Sequence, residues 1–125
     1  MASNYLEGKL YDATLRNTSF AVTTVYLALH TAAPGETGAN EVAGAGYARQ
    51  AVAWGAPTDG VGANSGTITV PVPTSGGPFA VTHVGLWDAL SGGNFLDGDD
   101  LPATVNAAAG DSIQWTAGQI TSTFT

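Results

Sequence analysis

The residues best suited to acid–base or metal chemistry in this sequence are two histidines and a few carboxylates. His30 and His83 are the only histidines, and each alternates with apolar residues in a strand-like segment. A zinc site would need both of them together with a further ligand such as a carboxylate, and nothing in their spacing makes them partners. We therefore interpret both as hydrogen-bonded histidines of a sheet, and we expect no metal ion and no cofactor.

The carboxylates allow two further hypotheses, and the sequence favours neither. Asp97, Asp99 and Asp100 offer oxygen ligands of the kind that Ca²⁺ takes, but their segment LDGDDL does not have the spacing of an EF-hand loop. Glu36 and Glu41 resemble the acid–base pair of a glycosidase, yet no aromatic cleft residues stand near them in the sequence. We therefore expect no catalytic residue and a chain that is not an enzyme.

Aromatic residues are the remaining candidates for ligand binding. A sugar-stacking platform would need exposed rings, whereas aromatic residues at alternating strand positions more often belong to a core. The rings concerned are Trp54, Trp87, Trp115, Tyr26 and Tyr47.

Arg49 stands among small residues in a strand-like segment of a chain with few basic residues. Arginine in such a position binds a carboxylate through its planar fork. We expect its partner to be Asp88 or Glu41, within the chain or across an interface.

The charge balance excludes whole classes of partner. Ten acidic residues and only Lys9, Arg16 and Arg49 as bases give a formal net charge of −7. Nucleic-acid binding depends on Lys and Arg neutralising phosphates, so we expect no nucleic acid. No apolar run approaches the roughly 20 residues that span a bilayer, and the start does not read as a signal peptide. We expect no membrane partner and synthesis as a cytoplasmic chain.

The elements that would position these residues begin with one helix, predicted over residues 4–16. Asn4 is the expected cap, with Glu7 three residues later, and Asn17 is expected to end the helix in the left-handed conformation. A single apolar stripe is expected to contain Leu6, Leu10 and Ala13 or Thr14, with Tyr11 and Leu15 widening it. Two roles stay open, since the stripe would either pack on the sheet or dock into a neighbouring subunit.

A long loop, predicted over residues 31–46, follows the first strand. Loops of this length are uncommon in compact domains and are usually functional or disordered, and they lie at the surface. The segment has little apolar surface to bury, so we expect it to be displayed and to lack order before assembly.

The rest of the chain reads as short strands separated by turns. This pattern predicts a single all-β domain over residues 1–125, an antiparallel β-sandwich of seven to eight strands with one short N-terminal α-helix. The expected strands cover 24–30, 47–54, 67–73, 80–89, 94–96, 103–107, 111–117 and 119–124.

Four details of this pattern are specific enough to test. Residues 81, 83, 85 and 87 are expected on one face of their strand, and Ile120 is expected to share a face with Phe124. Residues 55–66 are expected to be turns with left-handed positions at Asp59-Gly60 and at residues 64–66. Residues 96–102 are expected to form a loop.

Several stretches together resemble a known family. The start MASNYLEGKLYDATLRNTSF and the segments LALHTAAPGETGANEV, GYARQAV and THVGLWDALSGGN are similar to small proteins of tailed bacteriophages, the Gp80-like phage tail family. The resemblance covers nearly the whole chain. It implies a virion protein, labelled tail fibre or structural protein, that carries no catalytic residues and is made in the host cytoplasm.

Our leading hypothesis is a structural component of a tailed-phage virion, a tail fibre or baseplate-associated module that works as a homo-oligomer and contacts other virion proteins. A capsid decoration protein is the alternative of the same class. A carbohydrate-binding module for host-surface glycans would need an exposed aromatic pair among Trp54, Trp87 and Tyr47. A glycan-cleaving enzyme would need two carboxylates about 5–10 Å apart in a groove. The predicted contact residues are Leu6, Leu10, Tyr11, Pro34, Glu36, Asn40, Glu41, Tyr47 and Arg49.

Overall fold

The computed structural model describes residues 2–123, and it is built mainly from antiparallel strands. One helix comes first, α1 (Asn4–Leu15), which is a residue shorter than predicted. Eight strands follow: β1 (Val25–His30), β2 (Gln50–Val52), β3 (Val61–Ala63), β4 (Ile68–Pro71), β5 (Phe79–Trp87), β6 (Phe95–Ala107), β7 (Ser112–Trp115) and β8 (Thr121–Thr123). Phe124 lies outside the described residues.

The strands form one larger sheet and two pairs. The larger sheet has the order β2-β1-β5-β6, while β4 pairs with β7 and β3 pairs with β8, all antiparallel. One face of the larger sheet, with Leu27, Leu29 and Val84, shares a core with Val70 and Ile113 of the β4–β7 pair. Because two antiparallel layers bury this core between them, the prediction of an all-β sandwich with one helix is confirmed.

The other face of the larger sheet carries the residues of functional interest. Strand β1 alternates as predicted, so Leu27 and Leu29 face the main core while Ala28 faces the opposite side. There Ala28 forms a second, smaller buried cluster with Trp87 and Phe95.

Strand β5 does not keep one alternation along its length. The register shifts between Val81, which pairs with Val105, and His83, which pairs with Asp100. A bulge of this kind reverses which face the next side chain occupies. The prediction that Val81 shares a face with Trp87 is therefore wrong, and Val81 is fully buried in the main core instead.

The predicted loop at 96–102 is also wrong, because these residues belong to the 13-residue strand β6. Asp and Gly are depleted in strands, and this composition led to the prediction. The pairing of Leu86 with Asp97 and of Val84 with Asp99 holds the segment extended, so tertiary pairing outweighs the local preference.

The turn-rich segment before β4 is only partly turn. Asp59 and Gly60 are left-handed as predicted, with φ of 53° and 79°. Residues 61–63 form β3, and Asn64 is not left-handed. Asn64 is buried, and its amide donates to the Gly66 and Thr116 carbonyl oxygens and accepts from the Ile120 amide. Its side chain thus joins three chain segments instead of shaping a turn.

Candidate functional site

The N-terminal helix is attached to the sheet by its first turn. Its cap is Ser3 and not Asn4, because the Ser3 hydroxyl accepts a hydrogen bond from the Leu6 amide at 3.2 Å. The same hydroxyl donates to the Phe95 carbonyl oxygen at 2.7 Å, and the Ser3 amide donates to the Leu96 carbonyl oxygen at 2.8 Å. These bonds to β6 explain why Ser3 is the cap, since this one residue accepts from a free amide at the start of the helix and also donates to carbonyl oxygens at the edge of the sheet.

The far end of the helix stops as predicted. Arg16 is the C-cap, and Asn17 follows in the left-handed conformation with φ of 53°. The Arg16 guanidinium contacts the Asp12 carboxylate at 3.1 Å, and the arginine side chain is 67% exposed. This end of the helix therefore projects into solvent, held by local contacts.

The single apolar stripe predicted for the helix is in fact two stripes on opposite sides. Leu6 is 6% exposed and Leu10 is half-buried, whereas Tyr11 is 57% exposed and Leu15 is 71% exposed. Leu15 stands nine residues after Leu6, which is about two and a half turns, so the two side chains point in opposite directions. Gly8 shares the side of Tyr11 and Leu15, with open space around its α-carbon. We call Gly8, Tyr11 and Leu15 the outer face of α1.

The long loop lies against the second face of the sheet. Gly38 is left-handed with φ of 76°, and a β-carbon there would overlap the Trp87 ring and stand 2.9 Å from the Phe95 ring. Pro34 is buried, and a β-carbon added at Gly98 of β6 would stand 3.0 Å from the Pro34 ring. The loop therefore covers the small Ala28–Trp87–Phe95 cluster.

Backbone hydrogen bonds hold this loop in one conformation. The Thr31 amide donates to Asn40, the Ala39 amide donates to Pro34, and the Val42 amide donates to Leu29, at 2.8–3.0 Å. Val42 is also buried in the main core. Pro34, Gly38 and Val42 are buried while most other residues of 31–46 are exposed, so the loop is displayed only in part, and its lack of order before assembly stays a prediction.

Arg49 is the centre of the polar contacts on this side. Its Nε and Nη2 donate to the two oxygens of Glu41 at 2.9 and 2.8 Å, which confirms one of the two predicted carboxylate partners. Its Nη1 donates to the carbonyl oxygens of Ala89 and Gly92, and its guanidinium lies 3.9 Å from the centre of the Trp87 ring. Arg49 is 7% exposed. This residue therefore fastens the 31–46 loop to the 88–94 turn.

Glu41 and Tyr47, the two titratable residues hydrogen-bonded to each other beside Arg49, have shifted pKa values. Burial raises the pKa of Glu41, but the hydrogen bonds from Arg49 and Tyr47 outweigh burial and hold it below its ordinary value. The Tyr47 hydroxyl donates to Glu41 at 2.8 Å and accepts from the Leu29 amide at 3.1 Å. Burial raises the pKa of Tyr47. Glu41 stays ionised and Tyr47 stays neutral near pH 7, which is the state that this network requires.

The two histidines are directly opposite each other on β1 and β5, a pairing that their spacing in the sequence did not indicate. His30 is fully buried, and its Nδ1 donates to the Ala39 carbonyl oxygen at 2.8 Å. His83 contacts the Thr82 hydroxyl at 2.7 Å. Burial lowers the pKa of His30. Both are hydrogen-bonded sheet histidines, as predicted, and His30 also fixes the long loop.

The carboxylates considered for catalysis or calcium binding have separate partners. Glu36 accepts from the Asn4 amide at 2.6 Å, while Asp88 accepts from the Asn94 amide and side chain. Asp97 is buried and accepts from the Ser122 hydroxyl at 2.6 Å. Within residues 2–123, no three His, Asp or Glu side chains gather in a group that could hold a metal ion.

The rings proposed as a sugar platform do not form an exposed pair. Trp87 is buried beneath the loop, and Trp54 and Tyr47 are half-buried. Trp54 lines an apolar groove beside α1, whereas Tyr47 lines a different and more polar depression next to Arg49. Trp54, Trp87 and Tyr47 therefore do not provide the exposed aromatic pair that a carbohydrate-binding module would need.

The nine predicted contact residues separate into three groups. Leu6, Pro34 and Arg49 are buried within the chain, and Leu10, Glu41 and Tyr47 are partly buried; Tyr11, Glu36 and Asn40 are exposed. Asn40 is left-handed and donates to the Ala33 carbonyl oxygen at 3.0 Å. The prediction left out Leu15 and Gly8, although a helical wheel places both beside Tyr11 and opposite Leu6.

Comparison with known proteins gives one family. Residues 1–123 match the model of a family described as podophage GP4 fiber I protein gp80. No curated protein matches the chain. The family match confirms the resemblance to phage tail proteins that the sequence indicated. Among residues 2–123, no helix combines the length and the apolar character needed to cross a lipid bilayer.

Proposed function

We propose that this chain, which belongs to the podophage GP4 fiber I protein family, is a non-enzymatic subunit that builds the phage tail fibre by docking the outer face of α1 onto a neighbouring fibre chain. The family supports a tail fibre role and a place in the virion. It favours the fibre over the capsid decoration role that the sequence also allowed.

The exposed outer face of α1 is the observation that carries this proposal. Tyr11 is 57% exposed and Leu15 is 71% exposed, and they stand one turn apart on the same side of the helix. Gly8, on the same side, has open space where a side chain would be, so a neighbouring backbone can approach closely. A helix with apolar residues on two opposite sides is typical of one that is covered on both.

The charge distribution supports the same surface. The helix region 4–16 contains two acidic residues, Glu7 and Asp12, and two basic ones, Lys9 and Arg16, so it is neutral and the whole net charge of −7 lies elsewhere. Two copies of such an acidic body repel each other. Contact through the neutral helix therefore costs less electrostatic free energy than contact through the rest of the surface.

The polar cluster around Arg49 supports a structural role over a chemical one. Arg49 and Glu41 saturate each other through two hydrogen bonds, and Tyr47 donates to the same carboxylate. Their arrangement joins the 31–46 loop to the 88–94 turn. We propose that it makes the sandwich a rigid body on which the helix is presented.

The test compares Leu15→Ser with Leu90→Ser. Both change an exposed leucine, 71% and 56% exposed, and Leu90 lies on the 88–94 turn beside the depression that Tyr47 and Arg49 line. Each variant would be supplied in trans during infection with a phage that lacks this gene. Fibre-bearing particles would be counted by electron microscopy, and the subunit content of purified particles would be measured by mass spectrometry.

We expect Leu15→Ser to lower the subunit content of the particles several-fold while Leu90→Ser leaves it unchanged. Both isolated variants should keep the wild-type unfolding free energy, because exposed substitutions change it by only about 0.5 kcal/mol. Normal incorporation of the Leu15→Ser and Tyr11→Ser chains would contradict docking through α1. Subunits found on the capsid instead of the tail would favour the decoration role.

A further inference from the structure

A large apolar groove lies between α1 and the sandwich, and it is open to solvent. Its volume is about 420 Å³, and its apolar walls include Leu10, Phe20, Val22, Trp54, Pro57 and Leu86. Each of these six side chains is half-buried or exposed. Among the described residues that line the groove, Asp97 is the only charged one, and its carboxylate accepts from the Ser122 hydroxyl at 2.6 Å. An uncovered apolar surface of this kind marks a site where another molecule binds.

The groove and the outer face of α1 lie on opposite sides of the same helix. Leu6 and Leu10 line the groove, whereas Tyr11 and Leu15 point away from it. Each chain thus carries an apolar projection and an apolar depression that face in opposite directions. A contact between two unlike surfaces of this kind repeats from copy to copy and produces a ring or a filament. This arrangement is suited to a subunit that is stacked along a fibre.

The dimensions of the two surfaces agree. Tyr11 and Leu15 stand four residues apart, which is the spacing at which a helix anchors its apolar side chains in a groove. An engineered cavity of about 150 Å³ holds a benzene ring, so a groove of about 420 Å³ has room for both side chains. One wall of the groove contains Gly62, where a β-carbon would meet no atom within 4 Å. A second helix can therefore approach this wall closely.

Opposite charges stand beside the two apolar surfaces. Arg16 directly follows Leu15, and its side chain is 67% exposed. Asp59 is exposed and lies between Pro57 and Gly60, two residues that line the groove. Entry of Leu15 into a groove therefore leaves Arg16 at a rim that carries a carboxylate. Complementary charges across an interface fix its register and disfavour other partners.

We propose that the groove of each chain receives Tyr11 and Leu15 of the next copy of the same chain, with Arg16 of that copy beside Asp59. This inference rests on the proposed function, because it names the surface onto which the outer face of α1 docks. A second copy is favoured as the occupant, since its helix supplies both the apolar anchors and the cation. Two anchors form a small contact of the weak class, so the fibre must hold the copies together through further contacts.

The first test traps the contact as a disulfide in assembled particles. The chain has no cysteine, so introduced thiols react only with each other. Leu15→Cys would be combined in one chain with Pro57→Cys, or with Val22→Cys, and supplied in trans to a phage that lacks this gene. Purified particles would be oxidised and their subunits separated without reductant. Because a disulfide needs α-carbons within about 7 Å, two groove positions are used.

We expect a ladder of disulfide-linked multimers from at least one of these two combinations. Leu15→Cys alone, and Leu15→Cys combined with Leu90→Cys as the control, should remain monomers. Monomers from both groove combinations would overturn the inference. Dimers from Leu15→Cys alone would show that two outer faces meet each other, which overturns docking in the groove and retains docking through α1. Failure of the proposed function is detected separately, as normal incorporation of Leu15→Ser.

The second test reverses the charges and decides the matter if the cysteine variants do not enter particles. We expect Arg16→Glu to lower the subunit content of particles several-fold, and Asp59→Arg in the same chain to restore it. The control is Arg16→Glu with Asp100→Arg, because Asp100 is exposed and lines a different depression. Normal incorporation of Arg16→Glu, no restoration by Asp59→Arg, or equal restoration by Asp100→Arg would contradict the pairing of Arg16 with Asp59.

Discussion

Replacing Arg49 with alanine should destabilise this chain far more than the loss of an ordinary surface ion pair. The arginine makes two hydrogen bonds to Glu41 and two to backbone carbonyl oxygens, and it stacks on Trp87 at 3.9 Å. Its side chain is 8% exposed and that of Glu41 is 20% exposed. The substitution would leave a half-desolvated carboxylate and two carbonyl oxygens without their donor.

The expected cost follows from these contacts. Breaking a buried ion pair by removing one partner costs about 3–5 kcal/mol, and the partial exposure of Glu41 favours the lower end, about 3 kcal/mol. Arg49→Lys keeps the charge but loses the planar fork that bonds both oxygens, so we expect about 1–3 kcal/mol. Arg16→Ala is the matched control, because that arginine pairs with Asp12 while 67% exposed, and its loss should cost about 0–1 kcal/mol.

The assay is equilibrium unfolding in urea, followed by tryptophan fluorescence, for these three variants, for Glu41→Gln and for Glu41→Gln combined with Arg49→Ala. Because Arg49 and Glu41 are in direct contact, the double variant should lose less than the sum of the two single losses. An Arg49→Ala cost of about 1 kcal/mol or less, equal to that of Arg16→Ala, would refute the argument that the cluster fastens the loop.

Three further substitutions test the packing of the loop and the turns. Burial holds the pKa of His30 below its ordinary value of 6.5, so as pH falls this histidine takes up a proton in the unfolded chain before it does in the folded chain. The free energy of unfolding should therefore decrease as the pH drops below about 6.5, and His30→Asn should remove this pH dependence. Gly38→Ala should cost about 1–3 kcal/mol more than Gly35→Ala, since both positions are left-handed but only Gly38 lies against a ring. Asn64→Ala should cost about 2–3 kcal/mol, because a buried amide with three hydrogen bonds is lost.

Each of these has a result that would contradict it. Urea midpoints between pH 7 and pH 5 that fall equally in the wild type and in His30→Asn would show that His30 is not responsible. Equal costs for Gly38→Ala and Gly35→Ala would mean that the loop does not rest on Trp87. For Asn64, the comparison is Asn106→Ala at an exposed site, and similar losses in both would contradict the role of the buried amide.

The sequence predicted the fold class well because alternation along strands reports burial directly. The segment at β1 shows this, since Leu27 and Leu29 face the main core and Ala28 faces the other side as expected. The failures arise where long-range pairing decides the conformation. Asp97 and Asp99 look like turn residues locally, yet β5 pairs with them and holds β6 extended. Nothing in the local sequence reports the bulge at Val81 either.

The candidate site was harder to predict than the fold. The Arg49–Glu41 pair could be anticipated, because a buried arginine needs a carboxylate partner, and Glu41 is the one that the structure shows. The packing of the long loop could not, since Gly38 and Pro34 lie against residues far along the chain. Helical spacing alone places Tyr11 and Leu15 on the outer face of α1, opposite Leu6. The prediction of one stripe that includes all three residues therefore missed this second face.

Docking through the outer face of α1 can be seen directly by electron cryomicroscopy of the assembled fibre at a resolution that shows side chains. We expect Tyr11 and Leu15 of each subunit to be covered by a neighbouring fibre chain whose backbone passes close to Gly8. A fibre in which these three residues remain in solvent, while subunits contact one another elsewhere, would contradict docking through α1.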